Sequence, residues 1–185
     1  MEKLGHTISA LVEDNPGVLA RVSGLFRRRG FNISSLAVGK SEKKGLSRMT
    51  FVIQGDSEMV EQVTKQLYKL IEVVRVTEME QENMVARELA LMKIKSTSAT
   101  RNEIMQIVDI FRAGIVDVGH NNMIVEITGD EQKINSFIQL LQPFGIGEIM
   151  RTGQVAMMRG ANTSKNISNE PIATEKSAAD TDLVE

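Results

Sequence analysis

The order of apolar segments occurs twice along residues 5–157, and this repeat restricts the fold more than any other feature of the sequence. In each half, a strand pattern is followed by a helical pattern, two strand patterns, a second helical pattern and a last strand. This order, βαββαβ, is the ferredoxin-like supersecondary motif. The sequence therefore predicts an α+β fold made of two ferredoxin-like modules in tandem.

The first predicted module contains four strands and two amphipathic helices. The strands are Gly5–Glu13, Phe31–Gly39, Leu46–Gln54 and Val73–Met79. The helices carry apolar residues at helical spacing, which are Val18, Leu19, Val22, Leu25 and Phe26 in the first and Val60, Val63, Leu67, Leu70 and Ile71 in the second. Asn15 is the predicted N-cap of the first helix, with Pro16 at its first position and Gly30 just after its end.

The second predicted module repeats these signals. Its strands are Glu88–Lys95, Gly114–Val118, Met123–Thr128 and Ile146–Met157. Thr100 and Glu103 form a predicted capping box for its first helix, and its second helix lies between Asp130 and Pro143. Two pairs of similar segments support the duplication. They are Leu25-Phe26-Arg27 with Ile110-Phe111-Arg112, and Ile53-Gln54-Gly55-Asp56 with Ile127-Thr128-Gly129-Asp130. The first copy is longer, which we attribute to a longer hairpin between its second and third strands.

The chain divides into three regions: a first module at residues 1–80, a second at 81–160, and a tail at 161–185. The tail is rich in Ser, Thr, Asn and Ala, lacks aromatic residues, and has two lysines against five acidic residues. Such a composition buries too little apolar surface to offset the entropy lost on ordering, so we expect the tail to be disordered.

Composition narrows the classes of function. The chain has no cysteine, two histidines, 4% aromatic residues and a net charge of −2. These values argue against disulfides, thiolate chemistry, His-rich metal sites and a general polyanion binder. No apolar run approaches the length of a membrane span, and the N-terminus has no apolar targeting segment, so we expect a soluble protein of a reducing compartment that does not bind membranes.

Candidate catalytic residues are few. The aspartates Asp14, Asp56, Asp117 and Asp130 all lie at turns or strand ends, where Asp commonly caps backbone groups. His6 begins a strand and His120 lies in a hairpin turn, so both are expected to be surface histidines. No nucleophile, metal or phosphate-loop motif is present. We therefore expect no catalytic and no metal-binding residues on this chain.

RNA-recognition modules share the βαββαβ order, but they stack bases on aromatic residues of their sheet. Here the two relevant strands offer only Phe51, and the basic run Arg27–Arg29 lies at a helix end, where cations are favourable in any case. We therefore expect no nucleic-acid partner.

The turn Asn15-Pro16-Gly17 is the sharpest local feature of the sequence. It joins a strand to a helix N-terminus, where free backbone N–H groups and the positive end of the helix dipole favour a carboxylate. Gly17 has no Cβ to keep a ligand from the backbone, and Asn32 offers a side-chain amide at the next strand. Ordinary turn chemistry explains the same residues equally well, so the residues alone leave both interpretations open.

Several segments resemble the small subunits of acetolactate (acetohydroxyacid) synthase, whose first module is an ACT domain. The matching segments are Val12–Val22, Leu25–Leu36, Leu46–Thr50, Lys65–Val73 and Arg87–Ile94. The Asn-Pro-Gly turn is shared by many amino-acid-sensing domains, whereas its combination with Arg-Gly-Phe-Asn-Ile and Leu-Ser-Arg-Met-Thr is specific. The resemblance extends through about residue 160.

The resemblance implies a non-catalytic regulatory subunit. Members of this family bind a large catalytic subunit that uses thiamine diphosphate, Mg²⁺ and FAD; they raise its activity and confer feedback inhibition by valine or another branched-chain amino acid. Their ACT domains pair as a homodimer with the effector at the interface. The family location is the cytoplasm, or the plastid stroma if the chain is organelle-encoded.

Carried over to this sequence, the effector-binding residues are Asp14, Asn15, Pro16, Gly17, Val18 and Leu19 on one protomer, with Asn32 and Ile33 facing them from the other. The apolar residues Val18, Leu19 and Ile33 are suited to a branched side chain, but they do not rank valine, leucine and isoleucine. Two alternatives remain: a free-standing amino-acid-sensing ACT protein with a different partner, and a small ferredoxin-like enzyme.

Overall fold

The structure is a computed structural model that describes residues 5–160, and it confirms the two βαββαβ units. The first unit consists of β1 (Gly5–Glu13), α1 (Val18–Arg29), β2 (Ile33–Lys40), β3 (Leu46–Gln54), α2 (Ser57–Leu67) and β4 (Val73–Met79). The second consists of β5 (Met84–Lys95), α3 (Arg101–Ile110), β6 (Gly114–Val118), β7 (Asn122–Gly129), α4 (Glu131–Leu141), β8 (Ile146–Arg151) and β9 (Val155–Met158). The predicted tail at 161–185 lies outside the described residues.

Each unit forms its own antiparallel sheet with the ferredoxin-like strand order. The first sheet has the order β2-β3-β1-β4, and the second has the equivalent order β6-β7-β5-β8. The additional strand β9 pairs with the first four residues of β5, Met84–Arg87. Within residues 5–160, β2 pairs with β3 alone and β6 with β7 alone, so they are edge strands at equivalent positions of the two sheets.

Two separate apolar cores hold the helices against the sheets. In the first, the rings of Phe26 on α1 and Phe51 on β3 stack with centroids 5.2 Å apart. In the second, the ring of Phe111, which follows α3, packs on the ring of Phe137 of α4 with centroids 5.1 Å apart. Each module therefore has the self-contained core that the repeated apolar pattern predicts.

The predicted N-cap of α1 is wrong, and that of α3 is correct in position but not in its hydrogen bond. Gly17, rather than Asn15, is the N-cap of α1, so Pro16 lies before the helix instead of at its first position. Thr100 is the N-cap residue of α3, as predicted, but its hydroxyl makes no capping hydrogen bond and instead accepts the backbone N–H of Thr97 at 3.0 Å. The predicted helix end at Gly30 is correct: Gly30 has φ 69°, and the N–H groups of Gly30 and Phe31 close the last turn of α1.

Some strand boundaries also differ from the prediction. The predicted strand Ile146–Met157 is divided into β8 and β9, because Gly153 takes φ 79° between them. β5 begins at Met84 instead of Glu88, because its first residues pair with β9. The longer hairpin explains only part of the length difference between the modules, since α1 also continues four residues past Leu25 whereas α3 ends at Ile110. Within residues 5–160, no helix has the length and apolar character needed to span a bilayer.

Candidate functional site

The segment Asn15–Val18 forms a tight turn between β1 and α1. The backbone N–H of Val18 donates to the carbonyl of Asn15 at 3.4 Å, and Gly17 has φ 88° and ψ −8°. Pro at the second position and Gly with positive φ at the third are the signature of a type II turn. The turn type explains why the chain needs both Pro16 and Gly17 in this order.

This turn leaves several backbone donors unoccupied. Among the described residues, no hydrogen bond engages the N–H groups of Gly17, Leu19 and Ala20. A Cβ placed on Gly17 would have no heavy atom within 4 Å, so the space beside the turn is open. Free N–H groups at the start of a twelve-residue helix, together with its dipole, favour an anionic group.

Hydrogen bonds hold Asp14 and the start of the turn in place. The N–H of Asp14 donates to the carbonyl of Gly45 at 2.8 Å, and its carboxylate accepts the hydroxyl of Ser47 at 3.1 Å. The side chain of Asn15 donates to the carboxylate of Glu13 at 2.8 Å. The side chains of Asp14 and Asn15 therefore brace the turn from both sides.

Glu72, which the sequence did not single out, joins three elements beneath the turn. Its carbonyl accepts the N–H of Glu13 at 2.9 Å, and its buried carboxylate pairs with Arg21 of α1 at 2.7 Å. The end of β1, the first turn of α1 and the approach to β4 are thereby held together. An acidic residue beside apolar Leu70 and Ile71 carries no distinctive signal in the sequence, so only the fold reveals this role.

The two apolar residues of the turn differ in exposure. Val18 is 3% exposed and belongs to the first core, whereas Leu19 is 44% exposed. The side chain of Leu19 is thus available to a ligand or partner, whereas the side chain of Val18 is buried and its N–H already bonds Asn15.

Asn32 and Ile33 lie at the other end of the same sheet. Ile33 pairs with Ile53 of β3, whereas Glu13, just before the turn, pairs with Leu46, seven residues earlier on that strand. At a rise of roughly 3.3 Å per residue, the two groups are separated by roughly 23 Å along the sheet. One protomer therefore does not bring all the predicted site residues together.

Neither histidine forms part of a metal cluster. Within residues 5–160, no group of three or more His, Asp or Glu residues is arranged to hold a metal ion. His6 lies 3.4 Å from the carboxylate of Glu78, and His120 is exposed next to β7. Phe51, the one candidate for stacking on a base, is fully buried in the first core.

Comparison with known families gives two matches that together cover most of the chain. The family described as "AHAS small subunit-like ACT domain" matches residues 8–75. The family described as "Small subunit of acetolactate synthase" matches residues 87–160.

Individual relatives and one solved structure agree with these matches. The probable acetolactate synthase small subunit of Archaeoglobus fulgidus is 56% identical over 155 residues, which cover 84% of this chain and 97% of that protein. The small subunit of Mycobacterium leprae is 52% identical over 155 residues, covering 84% and 92% of the two chains. The crystal structure of the Thermotoga maritima small subunit has 48% identity and a TM-score of 0.81, and it covers 85% of this chain and 98% of that one. The chain therefore belongs to the family of acetolactate synthase small subunits.

Proposed function

We propose that this chain is the regulatory subunit of an acetolactate synthase. In this role it binds a large catalytic subunit, raises its activity, and confers feedback inhibition by valine or another branched-chain amino acid. The observation that carries the proposal is the Pro16-Gly17 turn, with its free N–H groups and open space, in a chain of this family. The chemistry of the reaction belongs to the partner, where we place thiamine diphosphate, Mg²⁺ and FAD.

The effector site is shared between two copies of the chain. Support comes from the separation of the turn from Asn32 and Ile33 and from the position of β2 at the sheet edge. If two β2 strands pair antiparallel across a two-fold axis, the Ile33 end of one lies beside the Lys40 end of the other. Since Lys40 pairs with Ser47 near the turn, this arrangement brings Asn32 and Ile33 of one protomer towards the turn of its partner.

The proposed contacts match the parts of a branched-chain amino acid. Its carboxylate binds the free N–H groups at the start of α1, and the amide of Asn32 adds a polar contact from the other protomer. Its branched side chain meets the exposed Leu19 and the half-buried Ile33. Asp14, Asn15 and Pro16 fix the turn, and the buried Val18 holds the start of α1 in the first core.

Inhibition follows from linked equilibria. The effector favours one arrangement of the paired modules and the active holoenzyme favours another, so each opposes the other. A coupling free energy of ~1–3 kcal/mol is sufficient for clear inhibition.

Calorimetry on the full chain tests effector binding. We expect valine, leucine or isoleucine to bind, and we expect Asn32→Ala and Gly17→Asp to weaken binding because they remove the amide and place a carboxylate beside the N–H groups. Absence of binding by all three amino acids would contradict the sensing role.

Reconstitution with the catalytic subunit tests the other half of the proposal. We expect the chain to copurify with the large subunit and to raise its rate of acetolactate formation. No change in rate would contradict activation, and binding of a branched-chain amino acid without copurification would favour a free-standing sensor.

A further inference from the structure

The second module meets the first beside Asn32 and Ile33, and away from the Pro16-Gly17 turn. The N–H of Gln154 donates to the hydroxyl of Ser35 on β2 at 2.8 Å. The side-chain amide of Gln81, in the connection between the modules, donates to the carbonyl of Gly5 at 3.2 Å. Gly5 and Ser35 both belong to the end of the first sheet at which β2 begins.

Gly153 allows the two modules to approach closely at this contact. A Cβ on Gly153 would lie 2.7 Å from the carbonyl oxygen of Leu36 and 3.0 Å from the hydroxyl of Ser35. Real Cβ atoms do not approach backbone oxygens so closely, and φ is 79° at this residue. Only glycine therefore fits here without separating the modules.

On the side of the second module, the contact segment is bound firmly to the sheet. The preceding residue, Thr152, exchanges backbone and side-chain hydrogen bonds with Leu89 of β5 at 3.1 and 3.2 Å. Before it, Arg151 makes a bidentate pair with the buried carboxylate of Glu88, with distances of 2.6 and 2.8 Å. A displacement of Gly153 and Gln154 is thus transmitted directly to β5 and β8.

On the side of the first module, the contact residue Ser35 lies two positions after the effector residue Ile33 on β2. A β-bulge separates them: Ile33 pairs with Ile53, Ser35 pairs with Val52, and Ser34 between them is the extra residue. The hydroxyl of Ser34 donates to the carbonyl of Val52 at 3.0 Å, which fixes the bulge. Bulges change the direction of a strand locally, so a shift at Ile33 alters the position of Ser35.

Beside this contact, the modules are separated by a cleft of about 820 Å³ with polar walls from both modules. Thr7 and Gln54 face it from the first module, and Glu131 and Arg151 face it from the second. The open cleft leaves room for one module to rotate relative to the other about the contact.

We infer that Ser35 and Gly153 are positioning residues that carry the effector's occupancy at Asn32 and Ile33 into the second module. The inference rests on the proposed function, because it assigns a route to the inhibition proposed there. Through the two-fold arrangement, an effector bound at the turn of one protomer acts on the second module of its partner. The Ser35–Gln154 hydrogen bond and the Gly153–Leu36 contact are the physical link.

Two variants of the full chain in the holoenzyme test the link. Ser35→Ala removes the acceptor of the Gln154 N–H, and Gly153→Ala forces the modules apart at Leu36. For both, we expect valine, leucine or isoleucine to bind with the affinity of the unaltered chain in calorimetry. We also expect the inhibition reached at saturating effector to fall by about 5-fold or more, or to disappear, as expected when coupling is lost.

Matched controls separate the link from general effects of substitution. Ser23→Ala removes an exposed hydroxyl from α1, and Gly30→Ala adds a Cβ at φ 69° with no heavy atom within 4 Å. Both should retain inhibition. Circular dichroism shows whether Gly153→Ala folds. If it does not, Ser35→Ala still tests the inference, because this substitution removes only a hydroxyl and adds no atom to the contact.

Retained inhibition in Ser35→Ala would overturn the inference, and so would a loss of effector binding equal to the loss of inhibition. If instead the unaltered chain binds no branched-chain amino acid, the proposed function itself fails. Hydrogen exchange gives an independent readout: the Gln154 amide should change its protection when effector is added to the unaltered chain, but not when it is added to Ser35→Ala.

Discussion

At the residue scale, Gly17 combines a backbone requirement with a proposed contact to the effector. Its φ of 88° is unfavourable for residues with a Cβ, yet the space around it is open. We expect Gly17→Ala to lower the free energy of unfolding by about 1 kcal/mol from backbone strain alone. Denaturant unfolding measures the loss, and calorimetry measures the accompanying decrease in effector affinity as the N–H groups move.

Gly30→Ala is the comparison for this prediction. Gly30 has φ 69° and also has open space at the Cβ position, so the stability loss should be similar. The turn before α1 is unaltered in this variant, so effector affinity should be retained. Equal losses of affinity in both variants would show that affinity follows global stability.

Glu42, in the β2–β3 hairpin, has a pKa well below that of an ordinary glutamate. Its own backbone N–H, the hydroxyl of Ser41 and the guanidinium of Arg48 lower the pKa of Glu42 to about 2. A lowered pKa stabilises the folded hairpin at pH values above the ordinary carboxyl pKa of 4.5, and this contribution is lost as the pH falls through about 2.

An NMR titration of the Glu42 side chain should therefore show a midpoint near 2, and Arg48→Ala should raise the midpoint. Lys44→Ala changes a nearby charge that is not among the causes of the shift and should leave the midpoint unaltered. An ordinary midpoint in the unaltered chain would contradict the hydrogen bonds described for Glu42.

The residue types predicted where the turn before α1 lies, but they did not predict how the N-termini of α1 and α3 are capped. Pro16 and Gly17 could be recognised as a turn before a helix, but the type II geometry moves the N-cap from Asn15 to Gly17. Thr100 and Glu103 match a capping box in spacing, yet Thr97 competes for the same hydroxyl. Local hydrogen bonds of Ser, Thr and Asn have several partners within reach, and spacing alone does not choose among them.

At the element scale, the Arg151–Glu88 pair joins β8 to β5 across a buried carboxylate. Glu88 raises the pKa of Arg151 above its ordinary value, mainly by accepting its hydrogen bonds. Replacing Arg151 by Met leaves the carboxylate buried without its cation, which typically costs ~3–5 kcal/mol. Because Arg151 is about one-third exposed, we expect a loss near the lower end of that range, measured by denaturant unfolding.

Lys65→Met is the matched control, since it breaks the Lys65–Glu61 pair on α2. Both side chains of that pair are about two-thirds exposed and screened by water, so we expect a far smaller loss than for Arg151→Met. A similarly small loss for Arg151→Met would show that water reaches Glu88 and that the pair does not fix β8 on β5.

Periodicity predicted the elements well where one face is buried. α1 and α4 follow their apolar stripes, and β1 matches its predicted bounds. The prediction failed where pairing with a distant segment decides the boundary. β5 is extended to Met84 by pairing with β9, and the break between β8 and β9 at Gly153 reflects contact with Leu36, 117 positions earlier in the chain. Long-range contacts of this kind leave little trace in a local pattern.

At the scale of the whole molecule, the repeat predicted two modules but not how they meet. Neither Ser35 nor Gln154 has a sequence signal that relates it to the other, and the cleft between the modules is visible only in the structure. The same is true of the candidate site: its residues were named from the sequence, but their separation along the first sheet depends on the strand register. That separation is why a second protomer enters the proposal.

Pairing of β2 strands in a homodimer gives the last prediction. Val38, 48% exposed on β2, pairs with the buried Met49 of β3 and would lie in the proposed interface. In Val38→Lys, each protomer places a lysine in the interface, and charges on edge strands oppose strand pairing. We expect the dimer dissociation constant to rise at least ~10-fold, which corresponds to ~1.4 kcal/mol, and effector affinity to fall with it.

Val118→Lys is the control that the duplicated fold provides. Val118 is 54% exposed on β6, the equivalent edge of the second sheet, and pairs with the buried Met123 of β7. In both variants, a valine on an edge strand is replaced by lysine, and its neighbour on the adjacent strand is a buried methionine. The two substitutions should therefore affect folding similarly. Sedimentation equilibrium distinguishes them, because the Val118→Lys dimer should have the dissociation constant of the unaltered chain. If the Val38→Lys dimer is equally tight, the interface does not contain β2, and the proposed shared effector site is wrong.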